Sequence, residues 1–177
     1  MKYEKDMIFF IAENIYEKMK RCVDKAKPNE AFGLILGPEP QEIPLNKPRE
    51  FLYHYYGEIF ECVESNEESP VSFFINNSEL LFEFIENARI KNKRRVLSIF
   101  HSHPGGAHPS GFDKRYMKFF DELNNVEYKG KKVVKVYKNQ IWTIMDARNK
   151  VLNGFIYLEK EFMQINIQIQ SSKNKGY

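Results

Sequence analysis

A single domain built on a mixed α/β sheet is the architecture this sequence predicts, and three observations carry that expectation. Short runs rich in aromatic and β-branched residues recur along the chain, as strands require. Other stretches repeat their apolar residues with the helical period, and they interrupt the strand runs in irregular order. A length of 177 residues has room for one sizeable core and would be cramped as two domains.

The elements follow in order. Phe9 to Ala26 reads as a helix, because Ile11, Ile15, Met19, Cys22 and Val23 recur at helical spacing until Pro28-Asn29 stops it. Ala31–Leu36 is an apolar run closed by Gly37-Pro38 and suits a buried strand. The stretch Pro38–Glu50 holds four prolines and reads as a loop. Phe51–Tyr56, Glu58–Val63 and Val71–Ile75 look like strands. Asn76-Asn77-Ser78 offers cap residues for a helix reaching Lys91, with Leu80, Leu81, Phe84, Ile85 and Ala88 as its apolar face. Val96–His101 is a strand, and Pro104–Pro109 is a loop with two glycines and two prolines. Ser110 can cap another helix, on which Phe112, Tyr116, Phe119, Phe120 and Leu123 share a side. Val133–Tyr137, Gln140–Asp146 and Val151–Leu158 follow as strands, with turns at Lys138-Asn139 and Ala147–Lys150. Ile165, Ile167 and Ile169 alternate with polar residues in Gln164–Gln170, an amphipathic strand that offers an edge for another copy of the chain. Phe73, Phe74, Phe84 and Phe100 fall where a core needs them.

Composition narrows the function. Apolar residues are 42% and charged residues 29% of the chain, with a net charge of +3, too mild to point to nucleic acid. The basic clusters Lys91–Arg95 and Lys129–Lys132 read as solvated surface. No segment approaches the roughly 18 apolar residues that span a bilayer, and Met7–Ala12 is too short for a signal-peptide core. Cys22 and Cys62 stand far apart and outside any C-x-x-C spacing, so they read as separate buried thiols rather than a disulfide or a zinc site. A reduced, cytoplasmic compartment is the expectation.

The chemistry concentrates at Phe100-His101-Ser102-His103-Pro104 and at Asp113. Residues two apart on a strand project from the same face, so His101 and His103 can reach one metal ion. Asp113 is the natural third ligand, and three nitrogen and oxygen ligands leave a tetrahedral position open, the pattern of catalytic rather than structural zinc. The ligand set favours zinc without excluding iron or manganese. Amidohydrolases and metallo-β-lactamases also use His-x-His but need further histidines downstream, and none follows His108. His108 itself reads as an exposed loop residue, with contact to substrate as the alternative.

The sequence resembles the JAMM/MPN+ zinc metalloprotease family, in its small prokaryotic or archaeal form. The residues that carry the likeness are Pro28-Asn29-Glu30-Ala31-Phe32-Gly33-Leu34-Ile35-Leu36-Gly37, His101-Ser102-His103-Pro104, Ser110-Gly111-Phe112-Asp113 and the strand Ile141-Trp142-Thr143-Ile144, over roughly residues 9–158. One departure is visible: six residues separate His103 from Ser110, where the family pattern has seven.

The resemblance implies a curved mixed β-sheet flanked by helices over residues 1–163, with a terminal strand and polar tail at 164–177. It implies that His101, His103 and Asp113 bind Zn2+, that Glu30 is the general base, and that Ser110 stabilises the oxyanion. The implied activity is hydrolysis of a peptide or isopeptide bond, on a ubiquitin-like or sulfur-carrier protein at its C-terminal glycine. No nucleic acid or membrane partner is expected, and a homo-oligomer is open. Two rival readings are an inactive MPN scaffold for protein assembly and a DNA-repair-associated protein resembling the RadC group. The intact set Glu30, His101, His103, Ser110 and Asp113 argues against the first. The modest charge argues against the second.

Overall fold

A computed structural model of the chain describes residues 2–46, 50–122, 126–128, 131–133 and 139–171. In chain order its elements are β1 (Lys2–Ala12), α1 (Glu13–Ala26), β2 (Phe32–Gly37), β3 (Gln41–Pro44), β4 (Phe51–Gly57) and β5 (Ile59–Val63). There follow α2 (Pro70–Asn76), α3 (Ser78–Asn92), β6 (Arg95–His103), α4 (Gly111–Glu122), β7 (Val126–Tyr128) and β8 (Lys131–Val133). The last three are β9 (Ile141–Asp146), β10 (Leu152–Leu158) and β11 (Glu161–Gln170). Among the described residues, nine strands form one sheet in the order β3-β4-β1-β11-β10-β9-β6-β2-β5, and β7 pairs with β8 separately. The sheet is mixed: β1 runs parallel to both β4 and β11, β6 parallel to β9, and the remaining ladders are antiparallel.

Two apolar layers sandwich the sheet, because successive strand side chains point to opposite faces. On one face Phe32, Leu34, Ile99, Trp142, Ile144 and Phe155 pack against residues of α2, α3 and α4. On the other, Phe9, Ile11, Ile35, Phe100, Ile141 and Ile156 pack against Ile15, Met19 and Val23 of α1. Taking each such large side chain out of water stabilises the fold by roughly 1.5–3 kcal/mol. The sheet curls until the end of β2 lies against β4. A Cβ on Gly37 would run into the Tyr56 carbonyl oxygen, and one on Gly57 into the Ile35 side chain. Among the described residues no helix is long and apolar enough to cross a membrane.

Several expected elements differ. The helix expected from Phe9 begins at Glu13, and Phe9–Ala12 belongs to β1. That apolar run suits either period, and pairing with β4 and β11 on its two sides decides for the strand. The expected loop Pro38–Glu50 contains β3, which pairs with β4. Val71–Ile75, expected as a strand, lies in α2, where Pro70 occupies the first turn and needs no hydrogen-bond partner. The apolar face of α3 is rotated to Leu81, Phe82, Ile85 and Ala88, leaving Leu80 exposed and Phe84 half-buried. Its expected cap residues make no side-chain cap bond; Asn77 Nδ2 instead donates to the Phe73 carbonyl at 2.8 Å. Phe74 and Phe100 are core residues as expected, whereas Phe73 is exposed. On α4 the buried side is Asp113, Met117 and Phe120, with Phe112 61% and Phe119 50% exposed. Leu123 and residues 134–137 of the expected strand lie outside the described residues. The terminal strand is longer than Gln164–Gln170 and lies inside the sheet, between β1 and β10, rather than at an edge.

The cysteines require a further correction. Cys22 and Cys62, read as separate thiols, form a disulfide with 5.9 Å between their Cα atoms, tying α1 to β5 across a sequence separation of 40. Sequence spacing is silent on a pair brought together by packing α1 over the β2–β5 ladder. With the thiols paired, the cysteine argument for a reducing compartment no longer holds.

Candidate metal centre

β6 sits between β2 and β9, so ladders on both sides fix its backbone. Ile99, His101 and His103 share the face that meets the α3–α4 side of the core. His101 is fully buried, edge-on to Trp142 with 6.2 Å between ring centroids. His103 lies at the strand end, half-buried. Asp113, in the first turn of α4, is buried against both rings.

The three donors converge. His101 Nε2 and His103 Nε2 are 3.1 Å apart. His101 Nε2 is 3.3 Å from Asp113 Oδ1, and His103 Nε2 is 3.3 Å from Oδ2. One ligand atom from each residue fits within 4.8 Å of the others, a grouping that can hold a metal ion. Burial pushes the Asp113 carboxyl up, but hydrogen bonds with His101, His103 and Ser110 outweigh it and hold the group well below the usual carboxylate range. Burial pushes the His103 imidazole down, and the Asp113 carboxylate reverses this, with Glu30 and a backbone hydrogen bond at His108 adding to the net rise. Two imidazole nitrogens and a carboxylate this close need positive charge among them, supplied by protons or by a divalent cation. The residues therefore fit the zinc expected from the sequence.

The outer hydrogen bonds are uneven. Metal-binding imidazoles ordinarily use their second nitrogen to reach an acceptor, which fixes the ring. The His108 main chain contributes to the raised pKa of the His103 imidazole. Among the described residues His101 Nδ1 is buried without a hydrogen-bond partner. The exposed His108 therefore bears on the site through its main chain, while its ring lies 6.0 Å from that of Phe155.

The loop between histidines and aspartate is short but well held. Gly106 has φ +90°, a left-handed conformation that favours glycine, and its N–H donates to Asp146 Oδ2 at 2.9 Å. Asn153 Nδ2 donates to the Ala107 carbonyl at 3.0 Å. The six-residue spacing thus leaves Asp113 in contact with both histidines. Ser110 and Asp113 form a reciprocal capping box: Ser110 N–H donates to Asp113 Oδ2 at 2.6 Å, and Asp113 N–H donates to Ser110 Oγ at 3.2 Å. In the second of these bonds the Ser110 hydroxyl oxygen acts as the acceptor.

Glu30 stands just before β2 and is positioned from both sides. The Ala31 N–H donates to Ser102 Oγ at 2.8 Å, and the Ser102 N–H donates to the Ala31 carbonyl at 3.1 Å. Ser102 lies between the two histidines on the opposite face of β6, so this pair of bonds registers the glutamate segment against them. On the other side the Glu30 N–H donates to the Glu68 carbonyl at 3.0 Å, and Ser69 Oγ donates to Glu30 Oε2 at 2.6 Å. A cleft of about 490 Å³ opens beside Glu30, lined also by Lys25, Glu64, Asn66 and the disulfide.

Ser69, Ser102 and Asp146 were not singled out in the sequence. Ser102 carried a local signal, since the middle residue of a strand His-x-His must face the other way. Ser69 and Asp146 carried none, because only the α2 turn and the β6–β9 register bring them near.

The model of the prokaryotic homologs of the JAB domain matches residues 12–121. No curated protein matches the chain. Among solved structures, protein DSY2949 from Desulfitobacterium hafniense is 20% identical, with 96% of this chain and 99% of that one covered at a TM-score of 0.58, a likeness of fold. A JAB1/MPN domain protein from Archaeoglobus fulgidus is 13% identical over 90% of this chain and 98% of its own, with a TM-score of 0.43. A protein from Salinibacter ruber is 13% identical over 94% of each chain, with a TM-score of 0.48.

Proposed function

The chain belongs to the prokaryotic homologs of the JAB domain, and from that premise we propose that it is a zinc-dependent hydrolase. Its substrate in this reading is a peptide or isopeptide bond at the C-terminal glycine of a ubiquitin-like or sulfur-carrier protein. The observation that carries the reading is the convergence of His101, His103 and Asp113 in a buried corner with Glu30 held nearby. Partners in this reading are proteins rather than nucleic acid. Lys91, Arg94 and Arg95 of the basic cluster are drawn into ion pairs with Glu61, Glu58 and Glu39.

His101, His103 and Asp113 would hold the ion. Zinc bound there would lower the pKa of a water to about 7 and polarise a carbonyl as a Lewis acid. The Glu30 carboxylate takes a proton from the attacking water and returns it to the leaving amine nitrogen. The Ser110 hydroxyl donates a hydrogen bond to the developing oxyanion, an effect on the order of 10²–10³ in rate.

The test is zinc content measured together with cleavage of a linear ubiquitin-like fusion, for wild type and Glu30→Gln. About one zinc per chain in both proteins, with cleavage in wild type alone, is the expected result. Equal cleavage by both removes Glu30 from the mechanism. Absence of both zinc and cleavage in wild type, even after zinc is added back, turns the reading toward a protein-assembly scaffold.

A further inference from the structure

We propose that Ser69 is the positioning residue of the Glu30 carboxylate, holding it by a hydrogen bond that takes the place of capping the serine's own helix. The proposal rests on the hydrolase reading for what the carboxylate does, and on geometry for how it is held.

Ser69 precedes Pro70 at the start of α2, the place where a serine oxygen ordinarily accepts an N–H from the first turn. It makes no such side-chain cap bond. Its Oγ donates to Glu30 Oε2 at 2.6 Å, the short distance typical of a hydroxyl bonded to a charged oxygen. Ser72 Oγ lies 3.3 Å from Ser69 Oγ. Ser69 has one hydroxyl proton and two acceptors within its reach, and the carboxylate is the nearer of the two.

The main chain repeats the connection, with Glu30 N–H on the Glu68 carbonyl at 3.0 Å. Backbone and side chain of Glu30 are thus both gripped by consecutive residues, 68 and 69. The Ala31–Ser102 pair of bonds ties the same segment to the histidine strand. A glutamate side chain has three rotatable bonds, and without the Ser69 bond nothing among the described hydrogen bonds fixes its outer end. Ser69 itself is bonded to neither histidine nor Asp113, so it acts through Glu30 rather than on a reacting atom.

The experiment compares Ser69→Ala, Ser69→Thr, Glu30→Gln and the double variant Ser69→Ala/Glu30→Gln. On a ubiquitin-like fusion, Ser69→Ala should lower kcat by about 10- to 100-fold, the scale of a misplaced catalytic group, while KM stays within about 2-fold. Ser69→Thr keeps the hydroxyl and should recover most of the rate. In the Glu30→Gln background, Ser69→Ala should add nothing, because the two act as one unit. A readout independent of activity comes from protein labelled with 13C at the glutamate Cδ. The resonance missing in Glu30→Gln identifies Glu30, and it should move in Ser69→Ala and stay near its wild-type position in Ser69→Thr. A Glu30 resonance unmoved by Ser69→Ala, or undiminished kcat in that variant, overturns the Ser69 assignment. Undiminished cleavage by Glu30→Gln instead overturns the reading of Glu30 as base, whatever the resonance shows.

Discussion

Asp146 closes β9 directly opposite His103 in the parallel ladder, and its carboxylate organises the loop that separates the histidines from Asp113. Oδ1 accepts the Arg148 N–H at 2.8 Å, and Oδ2 accepts the Gly106 N–H at 2.9 Å. The Arg148 backbone bond, the Arg148 guanidinium and the Gly106 N–H together hold its carboxyl well below the usual carboxylate range, against the pull of burial. A group whose folded pKa is depressed contributes stability that is present above its unfolded pKa, about 3.9, and is lost as pH falls toward the folded value. Wild-type Tm should therefore fall steeply on acidification below about pH 4. Asp146→Asn, which begins less stable because its amide cannot accept on both atoms, should fall less steeply over the same range. Equal slopes in a thermal series from pH 6 to pH 2.5 would remove Asp146 from the acid sensitivity of the fold.

At the scale of the element, α4 shows how a helix can be read correctly as a helix and wrongly as to its face. Five aromatic or aliphatic residues from Phe112 to Leu123 suggest one apolar stripe. The buried stripe is instead Asp113, Met117 and Phe120, because Asp113 must reach the histidines and so sets the rotation of the whole helix. Phe120 stacks toward Trp142, 6.3 Å between centroids, whereas Phe112 and Phe119 face outward. Phe120→Ala should cost about 3–5 kcal/mol by urea unfolding. Phe119→Ala should stay within about 0.5 kcal/mol. Comparable losses would mean that the helix is rotated differently. The same rotation places Ser110 in the capping box, so Gly111 and Phe112 lie between a cap and a carboxylate that the sequence joined in one Ser-x-x-Asp motif.

At the scale of the molecule, the disulfide and the sheet order join segments that are distant in sequence. Cys22–Cys62 ties α1 to β5, the strand at one edge of the sheet. For a separation of 40 residues, loop-closure entropy gives a stabilisation of about 4 kcal/mol at most. Cys22→Ser/Cys62→Ser should lower the urea midpoint accordingly, and wild type assayed in reductant should approach the double variant. An unchanged midpoint would show that the two sulfurs are not bonded in solution. The cluster of His101, His103 and Asp113, which could hold a metal ion, was legible in the sequence because a strand's period of two and a short Ser-x-x-Asp turn are local rules, and Ile15, Met19 and Val23 were legible as core for the same reason. Strand identity was not legible where apolar runs suit both periods: Phe9–Ala12 became strand because β4 and β11 were there to pair with it, and Val71–Ile75 became helix because Pro70 opens a first turn against the core. Local periodicity by itself thus determined the histidine strand, the shared face of its two histidines and most of the helices. Only the tertiary structure decided the Cys22–Cys62 bond, the interior place of β11, the rotation of α4 and the grip of Ser69 on Glu30, because each depends on a partner far along the chain that no local pattern encodes.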